Sequence, residues 1–126
     1  MRQRVTKAQA AKGCVRVAFI GEGPDATDIT ALNPDPSGSA MEPIRVYVGL
    51  DSADSVAART DLAMRELERT GAWDRDVLVV WTATGTGWVN PDAARAIEIM
   101  HSGNTAIVSL QYSFLPSWIA FIVDPG

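Results

Sequence analysis

One cysteine, Cys14, and one histidine, His101, are all the chain offers of the two residue types that build most disulfide and zinc sites. A lone cysteine excludes an internal disulfide framework and leaves the redox compartment open. A lone histidine with no cysteine or second histidine nearby gives no zinc-ligand spacing, and its place at the end of a predicted helix suits C-terminal capping or simple exposure. No run reaches the roughly 18 apolar residues that cross a bilayer. Residues 118–123 (WIAFIV) are apolar but short, and read as core or as a docking surface. The amino end lacks the long apolar centre of a secretory signal. Also missing are the G-x-G-x-x-G spacing, the lysine of a P-loop and a G-x-S-x-G elbow, so neither a standard phosphate cradle nor an exposed nucleophilic serine is written into the chain.

What is present is enough for one domain: 126 residues, of which 47% are hydrophobic. The net charge of −4 is unevenly spread. Residues 1–16 carry Arg2, Arg4, Lys7, Lys12 and Arg16 and no acid, a charge of +5, whereas six basic and fifteen acidic residues leave −9 on residues 17–126. Phosphate backbones need clustered positive charge, so the main body is unsuited to nucleic acid. The basic end reads as a solvated tail, with approach to anionic lipid as the alternative.

Residues 1–43 form a weakly specified basic amino segment, ending in a linker at 33–43 (NPDPSGSAMEP). Within it, residues 15–20 (VRVAFI) suggest a short strand or an extended lead-in. From residue 44 the pattern sharpens. Residues 45–50 (RVYVGL) predict a strand, with Ser52, Asp54 and Ser55 available to cap a helix over 56–70. Val56, Thr60, Ala63 and Leu67 mark its inward face, Asp61 and Arg65 are spaced to pair outside, and Gly71 ends it. Residues 77–81 (VLVVW) predict a second, largely apolar strand. Asn90-Pro91 opens a second helix, with Ala93, Ile97 and Met100 facing inward and Ser102-Gly103 closing it before a third strand from Thr105 to Leu110. Helices of this length between apolar strands require parallel pairing and right-handed crossovers. The expectation is an α/β, three-layer arrangement with at least three adjacent parallel strands.

The candidate site is the turn Thr84-Gly85-Thr86-Gly87-Trp88, between the second strand and its helix. Its glycines permit close backbone approach, and its amides, with those near Asn90, suit a phosphate or the oxygen that becomes negative in acyl transfer. A tight turn with no ligand is the competing reading. The threonine hydroxyls are donors that also belong to ordinary strand chemistry, and Trp88 either lines a pocket or covers the helix start. Asp51 and Asp54 follow the first strand and read as helix caps before they read as cation ligands or acid–base groups. Ser113 and Ser117 have no base in a matching position, while Tyr112, Phe114 and Trp118 either shape an apolar pocket or cover the sheet. No catalytic, metal-ligating or cofactor-binding residue is assigned.

Four ordered segments carry a family likeness: 43–50 (PIRVYVGL), 66–72 (ELERTGA), 84–89 (TGTGWV) and 111–118 (QYSFLPSW). They resemble an uncharacterised actinobacterial alpha/beta-hydrolase family, usually membrane-linked, over about residues 16–126, which makes 44–126 a partial hydrolase-like domain. The resemblance implies that the 84–88 turn matches the loop whose amide serves the oxyanion. It also implies that the nucleophile lies on a later turn and that a membrane region of several helices precedes the domain in many full proteins. Neither falls within the chain. The expectation is therefore a truncated or degenerate serine-hydrolase-like protein, inactive alone, whose full relatives cleave an ester or related acyl bond of a small molecule. Two alternatives stand beside it: a noncatalytic interaction or dimerisation module using segment 114–123, and binding of a small phosphorylated ligand at the turn.

Overall fold

The computed structural model describes residues 19–21, 23–32 and 39–123. The basic stretch 1–16 with Cys14, the lead-in over 15–18 and the linker residues 33–38 lie outside the described residues. Helix α1 (Ala26–Leu32) is followed by strand β1 (Ile44–Val48), helix α2 (Val56–Arg69), strand β2 (Val77–Thr82), helix α3 (Pro91–Met100), strand β3 (Thr105–Leu110) and helix α4 (Ser117–Val123). All three strands are parallel in the order β1-β3-β2, with Val46 and Val80 both in register with Val108. The chain crosses from β1 to the far edge and then returns to the middle. Right-handed crossovers taken in opposite directions put their helices on opposite faces of the sheet, and this makes three layers.

Alternation along the strands divides the core in two. On one face Ile44, Val46, Val48, Ala106 and Val108 pack against Ala63 and Leu67 of α2. On the other, Tyr47 and Ile107 meet Phe19, Ile20, Val89 and Ala94 of α3. Strand β2 forms as its apolar residues suggest but is not covered on both faces: Leu78 and Val80 are exposed, Val80 by 73%, because α2 lies over β1 and β3 and stops short of this edge.

Ser55 caps α2, its Oγ accepting from the Ala58 amide at 3.1 Å. The expected inward face of α2 is only half right. Ala63 and Leu67 are buried, but Val56 and Thr60 are exposed. Arg59 takes the inner position of the first turns, where its guanidinium donates to the carbonyls of Leu50 and Ala53 and so binds the loop after β1. The ion pair on this helix joins Glu66 and Arg69; Asp61 and Arg65 stay exposed. Asn90 caps α3 with its Oδ1 accepting from the amides of Asp92 and Ala93, and Pro91 occupies the first turn. Replacing Asn90 by Ala is expected to cost about 1 kcal/mol in urea unfolding, since two helix amides lose their acceptor.

Two further expectations need correction. Phe19 and Ile20 are helical, not extended. Their apolar side chains fit a strand pattern equally well, but Phe19 folds its ring toward Tyr47, at a centroid distance of 6.2 Å. The inner stripe of α3 is Ala94 and Glu98, with Ala93 and Ile97 half-buried beside it and Met100 exposed.

Glu98 is fully buried because Arg45 of β1 meets it with two hydrogen bonds, Nε to Oε1 at 2.6 Å and Nη2 to Oε2 at 2.7 Å. Arg45 Nη1 donates to the Phe19 carbonyl, and the guanidinium lies 5.0 Å from the Phe19 ring centroid. One side chain thus joins β1, α3 and the helical turn at Phe19.

Candidate functional site

The loops that leave β1, β2 and β3 meet at the carboxyl edge of the sheet, the place where open α/β folds bind ligands. The 84–88 turn lies here, directly after β2. It is folded on itself: the Gly87 amide donates to the Thr84 carbonyl at 2.8 Å, the Thr84 amide to the Trp88 carbonyl at 3.3 Å and the Trp88 amide to Thr84 Oγ1 at 3.1 Å. Thr84 and Thr86 share a hydroxyl contact of 3.2 Å, and Trp88 is exposed. Gly87 has φ +85, and a Cβ there would stand 2.3 Å from Tyr47 Oη, so only glycine fits between the turn and the core. Tyr47 Oη donates to the Gly87 carbonyl at 3.0 Å.

The Gly85 amide points out of the turn and donates to Ser117 Oγ at 2.9 Å. That oxygen also accepts from the Tyr112 phenol at 3.0 Å. Of the candidate amides, those of Thr84, Gly87 and Trp88 close the turn and those of Asp92 and Ala93 serve Asn90, whereas Gly85 is aimed at an oxygen supplied from another loop.

Gln111 and Tyr47 are structural members of this edge that pattern reading did not single out. Gln111 is buried, and every part of its carboxamide is engaged: Nε2 donates to the Thr86 carbonyl at 3.2 Å and the Ser113 carbonyl at 2.9 Å, and Oε1 accepts from the Leu50 amide at 3.3 Å. Its own backbone amide continues the sheet, donating to Val48 at 2.9 Å. An uncharged amide immediately after an apolar strand is the one signal in the sequence, since a side chain with both donors and an acceptor suits a junction of loops.

The other candidates are dispersed. His101 is exposed at the C-cap of α3, beside the start of β3 and at the opposite edge of the sheet. Asp51 lies in a short 3-10 turn (Leu50–Ser52), Asp54 is exposed, and the capping role belongs to Ser55. Ser113 Oγ accepts from the Leu115 amide at 3.0 Å. Neither Ser113 nor Ser117 is held by a histidine or carboxylate in the hydrogen bonds described. Phe114 and Trp118 are exposed, Trp118 by 69%. Among the described residues, no group of three or more His, Cys, Asp or Glu side chains is placed to hold a metal, and no helix is long and apolar enough to cross a membrane.

No curated protein and no solved structure matches the chain. A model of the alpha/beta-hydrolase family does match it, over residues 44–126, a span that includes β1, β2 and β3, both crossover helices and the glycine turn. With two thirds of its length accounted for in this way, the chain belongs to the alpha/beta-hydrolase family.

Proposed function

We propose that this is a serine-hydrolase-like protein in which the 84–88 turn receives the oxygen of an ester or related acyl bond, while the chain alone carries out no hydrolysis. The supporting observation is the Gly85 amide at the carboxyl edge, turned away from its own turn and donating to the Ser117 hydroxyl at 2.9 Å. An amide in this position stabilises the charge that develops on an acyl oxygen, but bond cleavage also needs an activated nucleophile. Among the described residues, the partners of Ser113 and Ser117 are amides and a phenol and not a base, and His101 is at the other edge. An active-site fluorophosphonate is therefore expected to label no serine of the chain, with intact mass as the readout. Rapid stoichiometric labelling of Ser113 would overturn this reading.

A second reading is a noncatalytic interaction module. Phe114, Trp118, Phe121, Ile122 and Val123 are exposed in a stretch that has no charged residue between Gln111 and Val123, and β2 presents Leu78 and Val80 at a sheet edge. Such surfaces are covered by pairing or docking. Size-exclusion chromatography with light scattering decides it: a strictly monomeric, well-folded chain counts against the module. Membrane linkage and an actinobacterial origin are narrower inferences that rest on the four resembling segments, and the uncharged 111–123 stretch is compatible with the former.

A further inference from the structure

Phe19, Ile20 and helix α1 lie ahead of the span that matches the hydrolase family, yet they are built into the same core as the candidate turn. Phe19 and Ile20 share one buried cluster with Ala83 and Val89, the residues that enter and leave the 84–88 turn, and with Tyr47, Ala94 and Ile107. Two fastenings hold this amino-terminal part down. At one, Arg45 Nη1 donates to the Phe19 carbonyl, the guanidinium lies over the Phe19 ring 5.0 Å from its centroid, and a Cβ on Gly23 would stand 3.0 Å from Arg45 Cζ. At the other, Ile29 of α1 is fully buried and approaches the loop after α3, where a Cβ on Gly103 would stand 3.1 Å from its Cδ1. The Ala26 amide adds a bond to Glu42 Oε2 at 3.0 Å. Between this part and the turn stands Tyr47, whose ring meets Phe19 at 6.2 Å and whose hydroxyl donates to the Gly87 carbonyl at 3.0 Å. One side chain spans the distance.

We propose that Phe19, Ile20 and α1 form a strap whose docking holds the 84–88 turn in place through Tyr47, so that strap and turn open together while the rest of the sheet stays folded. The division of the core makes this possible. On the opposite face Ile44, Val46, Val48, Ala106 and Val108 pack against Ala63 and Leu67, and no strap residue belongs to that cluster, so it loses nothing when the strap lifts. Lifting Phe19 takes away the ring that backs Tyr47 and uncovers Ala83 and Val89, and a unit that opens with so few contacts does so at less cost than the whole domain. The device turns any event that pulls on or covers the amino-terminal part into a change of order at the carboxyl edge. It concerns what holds the turn and not what the turn receives, and so stands apart from the acyl-oxygen reading.

Native-state hydrogen exchange of the isotope-labelled full chain tests this with two truncations on opposite faces. The Ile29 amide, which donates to the Asp25 carbonyl at 3.0 Å, reports on the strap, and the Gly87 amide, which donates to the Thr84 carbonyl at 2.8 Å, reports on the turn. Phe19→Ala removes a fully buried side chain of the strap and is expected to speed exchange at both by a common factor, about tenfold or more. Leu67→Ala weakens the domain as a whole but leaves the strap's contacts alone, so it is expected to speed the amides of β3 and leave Ile29 and Gly87 unchanged. Phe19→Leu carries the comparison at a smaller factor if the alanine variant does not fold. A Gly87 amide that neither truncation speeds exchanges by motion of the turn alone, and this overturns the proposal. One that both truncations speed exchanges only when the entire domain unfolds, which overturns it equally. In a Tyr47→Phe background, which cuts the bond to Gly87, Phe19→Ala is expected to speed Ile29 and no longer Gly87. Coupling that persists there in full overturns the role of Tyr47 alone and leaves the link to Ala83 and Val89.

Discussion

Arg45→Met is expected to remove about 3–5 kcal/mol of stability in urea unfolding at neutral pH, a large part of what a domain of this size possesses. The loss has a simple origin. Glu98 is fully buried, and both of its carboxylate oxygens are hydrogen-bonded by Arg45 at 2.6 and 2.7 Å, so removing the arginine leaves a buried carboxylate without its hydrogen-bonding partner and with only the more distant charge of Arg95 acting on it. The same physics predicts a rescue: Arg45→Met with Glu98→Leu should recover most of the loss, because a packed apolar pair avoids the desolvation of both ions.

The pH dependence supplies an independent check. Burial pushes the Glu98 carboxyl above the ordinary glutamate range, against the hydrogen bonds and charge of Arg45, which pull it down. A raised carboxyl binds its proton more tightly in the folded chain than in the unfolded one. Its contribution therefore favours the fold below the ordinary glutamate range and is withdrawn as pH rises through the folded value. Without Arg45 most of the downward pull is lost and only the charge of Arg95 remains, so the deficit of Arg45→Met should shrink as the solution is acidified from neutral and Glu98 takes up a proton. A deficit under about 1 kcal/mol at neutral pH, or one that grows on acidification relative to the parent, would show that the pair is not holding the core.

Gly87→Ala is the second change with a large expected effect. The new methyl would stand 2.3 Å from Tyr47 Oη and 2.9 Å from Gln111 Cγ, on a backbone with φ +85. Overpacking of this kind costs about 1–3 kcal/mol, and the left-handed conformation adds about 1–2 kcal/mol for a residue with a Cβ. The two parts are separable. Tyr47→Phe removes the hydroxyl that the methyl strikes, so the double variant should recover part of the crowding cost and none of the backbone cost. Strict additivity of the two single changes would mean that the turn moves away from the core and relieves the contact elsewhere.

These two sites differ in how readable they were. Gly87 follows an apolar strand and precedes Asn90-Pro91, and glycine between such punctuation announces a constrained turn. Asn90, Pro91 and Ser55 likewise fulfilled the helix starts their side chains suggest, and β3 runs from Thr105 to Leu110 as its pattern requires. Arg45 and Glu98 were hidden, because hydrophobic periodicity counts a charged residue as solvent-facing. Glu98 looks like an outer position between Ile97 and Ile99, which is why the inner stripe of α3 was placed one residue out of phase. Arg59 misled in the same way on α2. In both helices the missing knowledge is tertiary: a charge goes inside only when an opposite charge or a set of carbonyls waits there, and those partners lie on other elements. The candidate turn was legible as a turn. Its link to Ser117 was not, because a contact across 32 residues leaves no periodic trace.

Gln111 gives the carboxyl edge a mechanical character of its own. With one carboxamide tied to Leu50, Thr86 and Ser113, the three loops share a single fastening point, and displacement of any one of them loads the other two. A displacement of the glycine bend is thereby transmitted through one side chain to the segments beyond β1 and beyond β3.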